Sequence, residues 1–293
     1  MTNPCHAPYY ADELQHQTVA ILLNQRLAKD TYKIRIRSSE IAQRIRPGQF
    51  LMVRISGAND PLLGRAFALY DVVSHDDSAA ADCVEFVYLV GGKMTSAMAK
   101  MQPGQQLDIW GPLGNGFPEL DVEHLILVAG GIGQTPFLAT GKSFLGKQAY
   151  GLSVTETSSA NRVTLCYGAR TADYLAGIDD FRWAGMDVRI STDDGSHGHH
   201  GLVTETLRQV LTEASADSRA IFCCGPEPMM HAVANIAEAE NVRCFVSLEA
   251  PMACGIGICF TCVTKVKMPD GTWDFKRTCV EGPIFDAEKL EWD

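Results

Sequence analysis

The chain runs to 293 residues, enough for two compact domains and a small third. With 46% hydrophobic and 20% charged residues it has the material for packed cores and is not a disordered chain. A formal net charge of −10 argues against a nucleic-acid or anionic-membrane surface, because phosphate binding runs on clustered Lys and Arg.

From the amino end, Met1 to Gln17 is polar and has no apolar run of the export-signal kind, so the expected location is the cytoplasm. Residues 1–120 read as all-β. Tyr32, Ile34 and Ile36 alternate with Lys33, Arg35 and Arg37, the period of a half-buried strand. Further β-rich runs follow at Phe50–Ile55, Ala66–Val73, Val84–Val90 and Leu107–Trp110, punctuated by Pro47-Gly48, Gly91-Gly92 and Pro103-Gly104. This spacing predicts a small antiparallel barrel, with one short helix over Thr95–Met101.

At residue 121 the rhythm changes, and 121–247 reads as a second domain. His124–Ala129 is a nearly continuous apolar run, as in a parallel strand buried on both faces, and a Gly-rich turn leads from it into a helix over Thr135–Phe144. Similar runs recur at Val163–Tyr167, Met186–Ile190, Ile221–Cys224 and Val242–Val246, with helices predicted over Leu202–Glu213 and Pro226–Glu240. Strands alternating with helices imply a parallel α/β sheet. The longest uncharged apolar stretch, Leu125–Gly141, contains Gly130, Gly131, Gly133 and Pro136 and falls short of the roughly 18–20 apolar residues of a membrane span. Lys147–Asn161, rich in Gly, Ser and Thr, reads as a surface excursion.

The last stretch, 248–293, is too short for a core of its own and calls for metal or disulfide support. The chain has ten cysteines. Cys5, Cys83, Cys166, Cys223, Cys224 and Cys244 are scattered, whereas Cys254, Cys259, Cys262 and Cys279 crowd the tail. Four residues separate the first clustered pair and two the next, with the fourth further along, which is the plant-type spacing for a [2Fe–2S] cluster. Gly255 and Gly257 let the loop fold round the inorganic sulfurs. Structural zinc is the alternative, but it favours two Cys-x-x-Cys knuckles and only one is present. The fold class is therefore β plus α/β: an antiparallel barrel, a parallel-sheet domain and a small ferredoxin-like [2Fe–2S] module.

Other segments carry weaker signals. Gly130, Gly131, Gly133 and Pro136 form a strand-to-helix turn suited to a pyrophosphate, although such turns also arise from packing. In the barrel half, Arg65-Ala66-Phe67-Ala68 offers a diphosphate clamp and a ring to stack on, Gly92-Lys93-Met94-Thr95 opens the short helix, and Gly111–Phe117 makes a turn. Each also reads as ordinary surface, core or punctuation. His197, His199 and His200 suit a solvated loop better than a metal site. Cys223 and Cys224, adjacent on a strand, point to opposite faces, with Cys224 a candidate for lining a nicotinamide pocket. Arg170, Asp193 and Asp194 follow strands and are candidates for ribose contact.

In this order the segments resemble the ferredoxin reductase-like flavoproteins from about residue 17 to the end. Gly111–Phe117, Gly130–Pro136, Thr192–Ser196, Cys224–Met229 and Met252–Gly257 are similar to the electron-transfer subunits of type B dihydroorotate dehydrogenases. The resemblance implies FAD in the barrel, held through Arg65 and its strand, Gly92, Lys93, Thr95 and Gly111. It implies NAD at Gly130–Pro136, facing Cys224, Gly225, Pro226 and Glu227, and the cluster on the four tail cysteines. Ala68 stands where the family's flavin motif has a hydroxyl, so a side-chain bond to flavin N5 is missing there. The implied partner is an FMN-containing catalytic subunit, two copies of each chain, feeding electrons from dihydroorotate through the cluster and FAD to NAD⁺ in pyrimidine biosynthesis. A reductase subunit of a bifurcating transhydrogenase or hydrogenase is the alternative; those relatives commonly carry Asp at the position of Cys254.

Overall fold

The computed structural model describes residues 14–75, 81–152, 159–213 and 218–292. Six antiparallel strands close a barrel in the order β1 (Gln15–Ala28), β2 (Thr31–Arg37), β5 (Cys83–Leu89), β4 (Arg65–Val73), β3 (Phe50–Ile55) and β6 (Gln106–Leu113). Its interior is filled by Ile21, Ile34, Ile36, Leu51, Val53, Phe86, Met98 and their neighbours. The sequence reading assigned no strand to β1. Two register shifts, between Ile21 and Leu23 and between Arg26 and Ala28, break the alternation on which that reading depends. A six-residue helix, α1 (Ser39–Arg44), also went unread, being too short to display a period.

The predicted helix over Thr95–Met101 lies two residues earlier, as α2 (Lys93–Met98). The Thr95 hydroxyl accepts the N–H groups of Gly91 and Gly92, both at 3.1 Å, which sets the cap at Gly92.

The second lobe is a seven-stranded sheet. In space its order is β10 (His199–His200), β9 (Asp187–Thr192), β8 (Ser159–Ala169), β7 (Asp121–Gly130), β11 (Arg219–Cys224), β12 (Arg243–Ser247) and β15 (Ile284–Asp286). All neighbours run parallel except β15, which pairs antiparallel with β12. The strand order reverses direction between β7 and β11, and in open α/β sheets ligands sit beyond the carboxyl ends at such a switch. The helices are α3 (Phe137–Phe144), α4 (Ile178–Trp183), α5 (Val203–Glu213) and α6 (Glu227–Ala239). The predicted helix at 135–144 begins at Phe137 because a 3₁₀ turn, Gly131–Gln134, and the cap at Pro136 come first.

Adjacent strand residues serve opposite cores, as expected of a doubly covered sheet. Cys223 packs with α5 and α6, whereas Cys224 packs on the face toward the barrel. There Phe222 meets Phe117, stacked at 4.5 Å, and the edges of Phe144 and Phe245. Emptying such a buried ring site costs about 3–5 kcal/mol.

Part of the expected surface excursion is anchored. The Gln148 amide donates to the Val72 carbonyl at 2.8 Å, and the Tyr150 hydroxyl to Asp71 at 2.8 Å, so these two residues hold the start of the excursion to the barrel. Residues 153–158 of that excursion, and Cys5, lie outside the described residues. The tail forms a hairpin, β13 (Val263–Lys267) with β14 (Trp273–Arg277), before β15 joins the sheet. Among the described residues no helix is long and apolar enough to cross a membrane.

Candidate functional site

The cysteine loop sits on the outer face of the barrel. Cys262, Cys279 and Val280 are buried together with Phe50, Met52 and Leu113 of the barrel, and Ala66 and Trp110 pack on the same group. The Trp110 indole N–H donates to the Cys254 carbonyl at 2.9 Å. Gly255, at φ +73°, lies so close to β3 that a Cβ would come within 2.4 Å of Met52 Cγ. That approach explains why glycine is needed beside Cys254. Arg277 braces the loop from β14: its guanidinium donates to the Gly257 carbonyl at 3.1 Å, pairs with Glu281 at 2.7 Å, and stands 5.3 Å from the Phe260 ring centre.

The four thiols stand as two pairs, Cys254 with Cys259 and Cys262 with Cys279, each pair within hydrogen-bonding reach. The Thr261 hydroxyl and N–H hold the Cys259 thiol down to about 6, with Cys254 assisting. Cys279 donates to Cys262, bringing it down to about 6, and the same sharing together with burial pushes Cys279 up. Thiolates are the ligating form. Two thiol pairs suit the two irons of a [2Fe–2S] cluster. The donor set fits the cluster.

Arg65 to Ala68 open β4, the strand against which this loop packs. Arg65 is exposed, its guanidinium held by the carbonyls of Leu63 and Gly64 at 3.3 and 3.0 Å. Ala66 faces the cysteine loop. Phe67 is half-buried against the barrel core, stacked on Phe86 at 5.1 Å, and Ala68 is half-buried opposite Phe50. Gly91 and Gly92 have open space where a Cβ would project, and an ion pair from Lys93 to Asp60 draws the start of α2 to the loop that leads into Arg65. An exposed guanidinium and an open glycine pair are each the kind of group that holds a diphosphate. No described bond joins Arg65 directly to Gly92 or Thr95. Gly111 has a packing reason of its own, since a Cβ there would lie 2.5 Å from Leu51 Cδ2.

The two nicotinamide candidates meet at the β7/β11 switch. A Cβ on Gly133 would come within 2.2 Å of the Cys224 carbonyl oxygen, one on Gly130 within 2.5 Å of Met229 Sδ, and one on Gly225 within 3.0 Å of the Gly130 nitrogen. Gly131, at φ +56°, has nothing within 4 Å of its Cβ position, which leaves its backbone open to a ligand. Pro136 caps α3, while Pro226 and Glu227, at the start of α6, are exposed. The turn after β9 is closed internally: the Asp194 carboxylate takes the Ser196 hydroxyl and N–H, which lowers it below the usual carboxylate range. His199 pairs with Glu205 at 2.7 Å.

Sequence reading passed over Glu249. It lies at the surface near Cys224, and desolvation by the atoms around it raises its carboxyl above the ordinary range. No spacing rule marks it, because its nearness to Cys224 arises only from the fold.

Family models match three consecutive segments: an oxidoreductase FAD-binding domain over residues 19–117, an oxidoreductase NAD-binding domain over 127–235, and the iron-sulfur cluster binding domain of dihydroorotate dehydrogenase B over 249–291. The electron transfer subunit of dihydroorotate dehydrogenase B (NAD(+)) from Bacillus caldolyticus is 34% identical over 281 residues, covering 94% of this chain and 98% of that one. Its counterpart from Clostridium perfringens is 35% identical over 250 residues, covering 85% and 88%. Among solved structures, the NADH-dependent reduced ferredoxin-NADP oxidoreductase described for flavin-based electron bifurcation superposes with a TM-score of 0.78 at 26% identity, over 94% of this chain and 90% of that one. The chain thus belongs to the family of dihydroorotate dehydrogenase B (NAD(+)) electron transfer subunits.

Proposed function

We propose that the chain passes electrons from dihydroorotate, oxidised on a separate FMN-containing catalytic subunit, to NAD⁺, with a [2Fe–2S] cluster and FAD as its carriers. It does so in the cytoplasm, in pyrimidine biosynthesis, as a heterotetramer of two copies of each chain. The working division is 1–120 for FAD, 121–247 for NAD and 248–293 for the cluster, the last lending Ile284–Asp286 to the NAD sheet. Cys254, Cys259, Cys262 and Cys279 hold the cluster. Arg65 to Ala68, with Gly92, Lys93, Thr95 and Gly111, hold FAD. Gly130, Gly131, Gly133 and Pro136, with Cys224, Gly225, Pro226 and Glu227, hold NAD.

When bound, the cluster handles single electrons, nicotinamide handles hydride, and flavin handles both. What carries the reading is the seating of the cysteine loop on β3 and on β4, the strand that begins with Arg65–Ala68: Ala66 shares one apolar group with Cys262 and Cys279. In this reading that shared apolar group lies between the flavin strand and the cluster and supports electron passage from one carrier to the other. An exposed apolar edge supports a partner near the cluster. Ile258 and Phe260 project from the cysteine loop, and Trp273 and Phe275 from β14, all about half exposed or more. Such concentration is unusual on a surface with no partner.

Cys259→Ser tests the scheme. The variant should lose the visible cluster bands and the dihydroorotate-dependent reduction of NAD⁺ by the two-subunit complex, while still oxidising NADH with artificial hydride acceptors. Coupled transfer at the parent rate would overturn it. The likeness to the bifurcation-related structure favours a second reading, a reductase subunit of a bifurcating complex. A full complement of cluster and flavin bands with no dihydroorotate activity alongside a catalytic FMN subunit would support that one instead.

A further inference from the structure

Two successive residues of β4, Tyr70 and Asp71, both face the α/β lobe. Neighbours on a regular strand point to opposite sides. Here the register with β5 slips between Leu69, opposite Phe86, and Asp71, opposite Glu85, so Tyr70 is the extra residue of a β-bulge. Leu69 and Val72 remain in the barrel core, while Tyr70 belongs to the core of the other lobe.

Each of the two grips a different helix. The buried Asp71 carboxylate forms an ion pair with Lys142 of α3 and accepts the Tyr150 hydroxyl and the Val72 N–H, at 2.8 and 2.9 Å. The Tyr70 hydroxyl donates to Asp180 of α4 at 2.8 Å, and its ring meets Phe181 edge-on at 6.2 Å. Lys33 of β2 completes this side, 3.5 Å from Asp180 and 5.7 Å from the centre of the Tyr70 ring. Gly177, which begins α4 at φ +69°, leaves room for the phenol: a Cβ there would lie 2.4 Å from Tyr70 Oη. Burial, with carboxylates alongside, pushes both phenols up, so each stays a donor.

The placement of this network gives it meaning. β4 begins with Arg65–Ala68 and carries Tyr70 and Asp71 a few residues on; α3 follows the Gly130–Pro136 turn and carries Lys142 in its last turn. One strand and one helix therefore tie the flavin segment to the nicotinamide segment. An apolar seam would hold the lobes together while letting them slide, whereas directional bonds to buried charged groups define one angle.

We infer that Tyr70, Asp71, Lys142, Tyr150 and Asp180 form a lock that sets the angle between the lobes and so places nicotinamide against flavin. They are positioning residues for hydride transfer, an assignment that rests on the reading of β4 as flavin strand and the turn after β7 as nicotinamide turn. The test uses the holoprotein with Tyr70→Phe and with the charge-neutral double substitution Asp71→Asn/Lys142→Met, and Lys142→Arg as the conservative control. Flavin content and cluster absorbance are measured first, followed by anaerobic single-turnover reduction by NADH. The limiting rate should fall roughly tenfold or more, since a small misplacement of reacting groups is that costly, with the NADH dissociation constant within about twofold of the parent. Lys142→Arg should retain most of the rate. A limiting rate per bound flavin equal to the parent's in both variants, even with a lowered melting temperature, would reduce the residues to packing and overturn the lock. If NADH fails to reduce the parent protein, the cofactor reading falls instead. Small-angle scattering then decides the lock by itself: variants that scatter as more open particles support it, and unchanged curves refute it.

Discussion

The indole of Trp110 on β6 and the carbonyl of Cys254 are joined by a 2.9 Å hydrogen bond across 144 residues of sequence. This bond links the barrel wall to the first thiol of the cysteine loop. Trp110→Phe keeps an aromatic ring and removes the donor, leaving a half-buried carbonyl short of a partner at a cost of about 1–2 kcal/mol. Cluster absorbance should then be lost at lower denaturant concentration than in the parent, with flavin content unchanged. Equal cluster loss in both proteins would show that the bond does not steady the loop.

Two glycines two residues apart, Gly131 and Gly133, should respond differently to the same methyl group. Gly133→Ala drives a Cβ into the backbone carbonyl of Cys224, and backbone cannot swing aside as a flexible side chain can. Separation of β7 from β11 at the switch should cost about 1–3 kcal/mol and raise the NADH dissociation constant sharply. Gly131→Ala meets no atom within 4 Å, and its cost is the left-handed backbone alone, about 1–2 kcal/mol. Isothermal titration with NADH and thermal melting of both variants separate the cases; equal affinities would contradict the crowding argument.

His124, buried on β7 with Nε2 2.8 Å from the Thr164 hydroxyl, is pulled down to about 4, first by burial and then by Arg162 and Arg219. Its folded form therefore binds a proton less readily than the unfolded chain, whose imidazole titrates near 6.5. The stabilisation is fully present above about pH 6.5 and is lost as the pH falls toward 4, on the order of 2 kcal/mol in all. Denaturant midpoints followed from pH 7.5 to 4.5 should fall less in His124→Gln than in the parent. Parallel curves would assign the acid sensitivity to other groups.

Barrel strand β2 was legible because apolar and polar residues alternate along it, β3 to β6 because β-rich runs lie between turn-forming pairs, and the α/β strands because they are nearly all apolar. β1 was not, since its bulges scramble the alternation. The cysteine loop was legible for another reason: three of the four clustered cysteines fall within nine residues, so spacing alone carries the expectation of a cluster. The glycines at 130, 131 and 133 looked alike in the sequence. Only their surroundings distinguish Gly133, jammed against Cys224, from Gly131, open to solvent.

Composition, period and spacing thus established a barrel, an α/β lobe and a cysteine cluster, and the resemblance of their motifs pointed to the family, because each is written in residues close together along the chain. Tertiary structure decided the seating of the cysteine loop on β3 and β4, the return of β15 to the far sheet, and the grip of Tyr70 and Asp71 on α4 and α3. Those contacts join residues tens to more than a hundred positions apart, and no local pattern records them. They exist because a bulge, a close glycine approach and a buried charge must find partners in three dimensions.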